Sequence, residues 1–167
     1  KAQAVMDSLN LSGMADLNLA FYRPPGPDLP THPFYRVRIK DSKLRFSRFP
    51  YTITDVTGDL TYDGGTKEWK FVKLEGRHDK ARITAEGNYR GASKPGVLDL
   101  TIRARGAALD SDLYNALTGE QQNLWKMLRP EGFCDLTAKV DWVATPGQPA
   151  SVRFPATEPV RIYNTTI

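Results

Sequence analysis

The chain has 167 residues, of which 40% are hydrophobic and 25% are charged. This length and composition exclude a disordered chain and predict one domain or slightly more, with a sizeable buried core. The net charge of +4 comes from 23 basic and 19 acidic residues that are interleaved along the chain, so no nucleic-acid partner is predicted.

The chain begins within a predicted secondary-structure element. Residues 1–13 are typical of the end of a helix followed by a glycine, and neither an initiator methionine nor a signal sequence precedes them. We therefore expect the chain to be a piece of a longer protein, so a missing targeting segment says nothing about the parent protein. No apolar run approaches the roughly 18 residues of a membrane span.

From residue 14 onward, apolar and polar residues alternate with a period of two. This alternation predicts antiparallel strands with one buried and one solvated face. Turn sequences separate the strands, among them Asp63-Gly64-Gly65, which predicts a hairpin. The apolar positions of these strands are Ala15, Leu17, Leu19, Phe21, Tyr35, Val37, Ile39, Val56, Leu60, Tyr62, Ile83, Ala85, Tyr89, Leu98, Leu100, Ile102, Leu136, Ala138, Val140 and Trp142.

A stripe of basic residues follows the second predicted strand. Its members are Arg36, Arg38, Lys40, Lys43, Arg45 and Arg48. Such a stripe can bind the phosphates of nucleic acid or of lipid headgroups. Alternate positions of a half-buried strand must be polar in any case, so a solvated strand face is the simpler interpretation.

One segment, near 111–129, has helical spacing instead. Its apolar residues are Leu113, Leu117, Leu124, Trp125 and Leu128. The spacing predicts a short helical turn from 111 to 117 and a second helix from 119 to 129, with Thr118 and Gln121 as a capping box between them. We expect the apolar residues of this segment to cover the sheet. The predicted fold class is α+β, mainly antiparallel β, with a strongly twisted or curved sheet.

Two stretches of the chain resemble later ones. Residues 9–22 align with 128–141, which pairs Gly13 with Gly132 and Asp16 with Asp135, and residues 37–44 align with 160–167. Repeated order and spacing are typical of an array of similar units. The hypothesis is that 1–13 ends one repeat unit, 14–131 forms a complete unit, and 132–167 begins the next.

The sequence supplies little catalytic chemistry. His78 beside Asp79 could form a metal-ligand pair or an acid/base element, but a solvated hairpin turn is the better interpretation. Asp110 and Asp112 stand at a helix start, which favours capping over glycosidic chemistry. The only cysteine, Cys134, is predicted to be a small core residue. We therefore expect a non-enzymatic protein with no catalytic residue, no metal ligand and no cofactor.

Aromatic residues indicate an alternative function, which is ligand binding through exposed rings. Trp69 and Phe71 share one strand face, and Phe46, Phe49 and Tyr51 are close in sequence. Exposed rings of this kind can stack sugars or bases, whereas a packed sheet core is the simpler interpretation. A β-sandwich-like recognition module that binds glycan or protein therefore stays open as an alternative function.

The segment "FPYTITDVTGDLTYDGGTKEWKFVKLEGRHDKARITAEGNYRG", residues 49–91, resembles the strand pattern of the AsmA-like proteins of the bacterial envelope. The pattern is carried by Gly58, Leu60, Asp63, Gly64, Gly65, Leu74, Gly76, Ile83, Gly87 and Tyr89. The helix and strand of residues 113–142 are similar to units of AsmA-like C-terminal regions. The resemblance covers about residues 48–142, and its motifs are permissive.

This resemblance implies a strongly curved β-groove, apolar inside, that shields lipid acyl chains without catalysis. It also implies phospholipid-like lipid and envelope proteins as partners, on the periplasmic side of the bacterial cell envelope. The family usually has an N-terminal membrane anchor, which this chain lacks, so the anchor is expected in the parent protein. The candidate lipid-groove residues are Ile83, Ala85, Tyr89, Leu98, Leu100, Ile102, Leu136, Ala138, Val140 and Trp142.

Overall fold

The structure is a computed structural model that describes residues 10–46, 49–91, 95–143 and 151–164. Nine strands in these residues form one antiparallel sheet. They are β1 (Ser12–Tyr22), β2 (His32–Phe46), β3 (Phe49–Asp63), β4 (Glu68–His78), β5 (Ala81–Arg90), β6 (Val97–Ala108), β7 (Phe133–Val143), β8 (Ser151–Arg153) and β9 (Arg161–Tyr163). The sheet is a meander in chain order from β1 to β8, and β9 pairs with β7 at a separate position. The predicted α+β fold with a mainly antiparallel sheet is confirmed.

The sheet has one apolar and one polar face, as the alternation predicts. Cross-strand pairing aligns apolar residues in rows that cross the whole sheet. One row contains Leu19, Tyr35, Tyr62, Trp69, Tyr89, Leu98 and Trp142, and the next contains Leu17, Val37, Leu60, Phe71, Gly87, Leu100, Val140 and Val152. The opposite face carries ion pairs, including Arg82–Glu75 at 2.8 Å and Arg103–Glu86 at 2.7 Å.

Bulges interrupt the register of the long strands. Asp41, Asp55, Gly58, Lys73 and Gly106 all have positive φ angles. Each lies where the pairing of β2–β3, β3–β4, β4–β5 or β6–β7 shifts. An extra residue in a left-handed conformation bends a strand and increases its local twist. The bulges therefore bend the sheet, and the sheet stays open.

The core consists of two clusters on the apolar face. One lies under the helical segment and contains Tyr51, Ala81, Ile83, Ala104, Ala107, Leu113, Ala116 and Cys134. The other contains Ile39, Val56, Leu60, Phe71, Tyr89 and Leu98, all of which belong to strands. Within the described ranges no helix contributes to the second cluster, where the strand side chains pack on one another.

The two predicted helices are present as α1 (Ser111–Ala116) and α2 (Gly119–Leu128), and the capping box between them is formed. Leu113 is buried in the first core cluster, and Trp125 packs against that cluster. The prediction that Leu124 and Leu128 cover the sheet is wrong, because they are 51% and 62% exposed. The cause is that α1 lies against β3, whereas α2 packs beside α1. Among the described residues, neither helix has the length and apolar character of a membrane-spanning segment.

Candidate functional site

The ten candidate groove residues all lie on the apolar face of β5, β6 and β7. Five of them are buried, namely Ile83, Tyr89, Leu98, Ala138 and Val140. The other five, Ala85, Leu100, Ile102, Leu136 and Trp142, are half-buried. The middle of the apolar face is therefore largely filled by its own side chains, so a ligand would find more accessible apolar surface elsewhere.

That accessible surface lies at the edge strand β1. All eleven residues of β1 are exposed. Leu17, Leu19 and Phe21 are 58%, 57% and 68% exposed, and the first two pair with Val37 and Tyr35 of β2 on the apolar face. Sequence alternation assigns these residues to the apolar face, but it gives no signal that β1 is an edge strand.

The apolar face is also exposed at the other edge of the sheet. Val152 of β8 pairs with buried Val140, and Ile162 of β9 pairs with buried Cys134. The exposed fractions of Val152 and Ile162 are 41% and 47%. The same apolar face thus continues from the filled middle to an open edge on each side.

The aromatic residues proposed as a stacking surface belong mainly to the core. Phe71 and Tyr51 are buried, and Trp69 and Phe49 are half-buried. The ring of Trp69 lies 5.0 Å from that of Tyr62, whose ring stacks on Tyr35 at 5.4 Å. These contacts line one margin of the apolar face rather than forming an exposed ring platform. The Phe46 side chain lies outside the described residues.

The basic stripe lies on the polar face of β2. Arg36, Arg38 and Lys40 are exposed. Arg38 pairs with Asp59 at 3.3 Å and Lys40 with Asp16 at 2.5 Å. The interpretation as a solvated strand face is confirmed for these three exposed residues, and Arg38 and Lys40 also have acidic partners on neighbouring strands. Arg48 lies outside the described residues.

A polar cluster occupies the end of the sheet where β4 ends and α1 begins. His78 stacks on Tyr51 with ring centroids 3.8 Å apart, and its Nδ1 donates to the Thr52 carbonyl at 2.7 Å. Its side chain is only 11% exposed. The prediction of a solvated turn for His78 is therefore wrong, because Tyr51 of β3 covers the imidazole.

Two carboxylates converge on His78. One ligand atom each of His78, Asp79 and Asp110 lies within 4.8 Å of the other two. Asp110 caps α1 as predicted, since its Oδ1 accepts from the amides of Asp112 and Leu113 at 3.1 and 3.0 Å. No sequence motif links Asp110 to His78; the two residues meet because β4 and β6 of the meander end at the same side of the sheet.

Tyr51 completes this polar cluster. Only 5% of this residue is exposed, and its buried hydroxyl has no hydrogen-bond partner in the described part of the chain. Burial raises the pKa of the Tyr51 phenol, and the carboxylates of Asp110 and Asp79 raise it further. The phenol therefore stays protonated and can donate a hydrogen bond.

No family model, no curated protein and no solved structure matches this chain. These comparisons give no support to the resemblance to AsmA-like proteins, which stays a prediction from the residue pattern. The geometry of the apolar face and of the polar cluster is therefore the basis for the functional proposals.

Proposed function

We propose that this chain is a non-enzymatic scaffold or conduit that shields lipid acyl chains on the apolar face of a curved sheet. The observation that carries this proposal is the apolar face that crosses all the strands and is exposed at both edges. Contiguous exposed apolar surface on a soluble domain usually marks a binding surface. The proposal needs no catalytic residue.

An acyl chain suits this surface physically. The exposed side chains of Leu17, Leu19 and Phe21 offer apolar contact without a set of converging polar groups. Each methylene removed from water contributes about 0.8 kcal/mol, so ten methylenes contribute about 8 kcal/mol before the cost of ordering the chain is subtracted. A headgroup at the margin of the face would remain in water.

Strand pairing supports the further proposal that the chain is part of an array of repeat units. The two sequence alignments are 9–22 with 128–141 and 37–44 with 160–167. When they are applied together, residues that pair between β1 and β2 correspond to residues that pair between β7 and β9. The matching pairs are Met14–Lys40 with Phe133–Tyr163, Ala15–Ile39 with Cys134–Ile162, and Asp16–Arg38 with Asp135–Arg161. A polar contact recurs as well, since Lys40 pairs with Asp16 and the Tyr163 hydroxyl donates to Asp135.

Such an array would extend the apolar face beyond the length of one unit. The proposed division is 1–13 for the end of one unit, 14–131 for a complete unit and 132–167 for the start of the next. Together with the AsmA-like residue pattern, this favours a membrane-anchored parent on the periplasmic side of a bacterial envelope. Its proposed partners are phospholipid-like lipids and other envelope proteins.

A matched pair of variants tests lipid binding. Leu19 and Met14 are both exposed residues of β1, but they lie on opposite faces of the sheet. Purified wild-type, Leu19→Asp and Met14→Asp chains are incubated with phosphatidylglycerol vesicles, separated from them, extracted and analysed by mass spectrometry. We expect stoichiometric lipid on wild type and Met14→Asp and at least fivefold less on Leu19→Asp.

Circular dichroism checks that both variants fold, which we expect because both positions are exposed. No retained lipid on the wild-type chain would contradict the proposal. Equal retention by the two variants would do so as well, since lipid would then not distinguish the apolar from the polar face.

A further inference from the structure

The polar cluster of His78, Asp79 and Asp110, with Tyr51 and Asp112 beside it, plays no part in lipid shielding. It joins the turn between β4 and β5 to the junction of β6 and α1. We call these five residues the His78 cluster. Its members combine one imidazole with carboxylates, which are the ligand types of divalent transition metals.

The hydrogen bond of His78 fixes the state of its ring. A backbone carbonyl only accepts, so Nδ1 must carry the hydrogen that is donated to Thr52 at 2.7 Å. In the neutral ring, Nε2 then presents a lone pair. Among the described residues this buried atom has no hydrogen-bond partner, and the nearby Asp112 Oδ2 lies 3.7 Å from it. Metal-ligating histidines are commonly held this way, with one ring nitrogen bonded to a carbonyl and the other directed to the ion.

The two carboxylates lie at suitable distances. The three ligand atoms are within 4.8 Å of one another, whereas ligands of a tetrahedral Zn²⁺ lie about 3.4 Å apart given bonds of about 2.1 Å. The side chain of Asp79 is exposed and so has room to adjust toward an ion. Asp110 uses Oδ1 for the helix cap, which leaves Oδ2 for an ion.

Tyr51 provides an independent indication of a missing ligand. Only 5% of Tyr51 is exposed, and its hydroxyl has no hydrogen-bond partner among the residues that the structure describes. The ring is stacked on His78 with ring centroids 3.8 Å apart, so the buried phenol is in direct contact with the proposed ligand. A water bound to an ion in the cluster would give this hydroxyl a hydrogen-bond partner.

We propose that the His78 cluster binds one divalent transition-metal ion of the Zn²⁺ type. His78 Nε2 and one carboxylate oxygen each from Asp79 and Asp110 are the protein ligands, and water completes the shell. The ion ties the β4–β5 turn to the N-terminal end of α1 and so fastens the helical segment over the sheet. This inference does not depend on the lipid proposal.

Isothermal titration with Zn²⁺ and the visible absorption of bound Co²⁺ test the site. The variants are His78→Ala and Asp110→Asn, the second of which keeps a side-chain oxygen for the helix cap. The control is His32→Ala, because His32 is the only other histidine of the chain. We expect one equivalent of Zn²⁺ on wild type and His32→Ala, and at least tenfold weaker binding to both cluster variants.

Failure of His78→Ala to fold would leave Asp79→Asn as the decisive variant. Asp79 is exposed and has a φ of 51°, a conformation that asparagine also adopts readily. Absence of Zn²⁺ binding by the wild-type chain would overturn the proposal. Equal affinities of wild type and Asp79→Asn, or an equal loss in His32→Ala and His78→Ala, would overturn it too.

Discussion

Cys134 shows how completely the sheet and α1 exclude water from the first core cluster. Only 1% of its surface is exposed, and it packs among the residues beneath α1. Burial raises the pKa of the Cys134 thiol from its ordinary value of 9.0 to about 11, and the Asp135 carboxylate adds to the shift. The sequence prediction of a small core residue is confirmed.

Because the pKa of the Cys134 thiol is raised, we expect the protein to lose stability in alkaline solution. Between pH 9 and pH 11, the unfolded chain releases the Cys134 proton while the folded chain keeps it. In this pH range the folded state binds more protons than the unfolded state. The free energy of unfolding therefore falls as pH rises, by on the order of 2 kcal/mol. Urea denaturation at pH 8 and pH 11 measures this fall.

The comparison with Cys134→Ala separates this effect from the titration of tyrosines such as Tyr51. We expect the variant to lose less stability than wild type between the two pH values. An identical fall in both proteins would contradict the assignment to Cys134.

At the scale of elements, β5 and β6 approach closely at Gly87. A Cβ atom there would lie 2.1 Å from the Asp99 carbonyl oxygen and 2.8 Å from the Leu100 Cα. Backbone atoms of a paired strand cannot move aside as a flexible side chain can. We therefore expect Gly87→Ala to lower the free energy of unfolding by about 1–3 kcal/mol, measured by urea denaturation.

Gly119 provides the control for this substitution. It begins α2, and a Cβ atom there would meet nothing within 4 Å. Gly119→Ala should be neutral or slightly stabilising, since alanine favours helix. If Gly87→Ala were as stable as wild type, the tight pairing of β5 with β6 would not be a constraint on the fold.

The elements that sequence predicted well depend on local chemistry. The helix starts follow from Asp110 and from the Thr118 capping box, and the faces of the strands follow from alternation. The bulges were not predicted, because Asp41, Asp55 and Lys73 adopt positive φ without a glycine to announce it. Bending by these bulges decides which apolar residues become buried.

The candidate groove and the His78 cluster also differ in how much of them the sequence predicts. Alternation assigned the ten candidate groove residues to one face, and their contact with lipid stays a prediction. Alternation does not predict that Leu17 and Leu19 are exposed while Tyr89 and Leu98 are buried, because exposure depends on strand order and curvature. The His78 cluster was missed since Asp110 reaches His78 only through the meander topology.

At the scale of the whole molecule, the sheet is an amphipathic layer with two open edges. Its polar face carries cross-strand ion pairs. Its apolar face is covered by α1 at one end and by its own side chains in the middle. At β1 and at β8 and β9 the apolar side chains are left exposed. We therefore propose that these edges, rather than the filled middle, contact acyl chains.

Photo-crosslinking with a diazirine-bearing fatty acid, followed by peptide mass spectrometry, tests this assignment most directly. We expect crosslinks at the exposed apolar-face residues, which are Leu17, Leu19, Phe21, Val152 and Ile162. Unlabelled fatty acid should compete with them. Crosslinks that spread equally over polar-face residues such as Asn18 and Arg36, or that resist competition, would contradict the account.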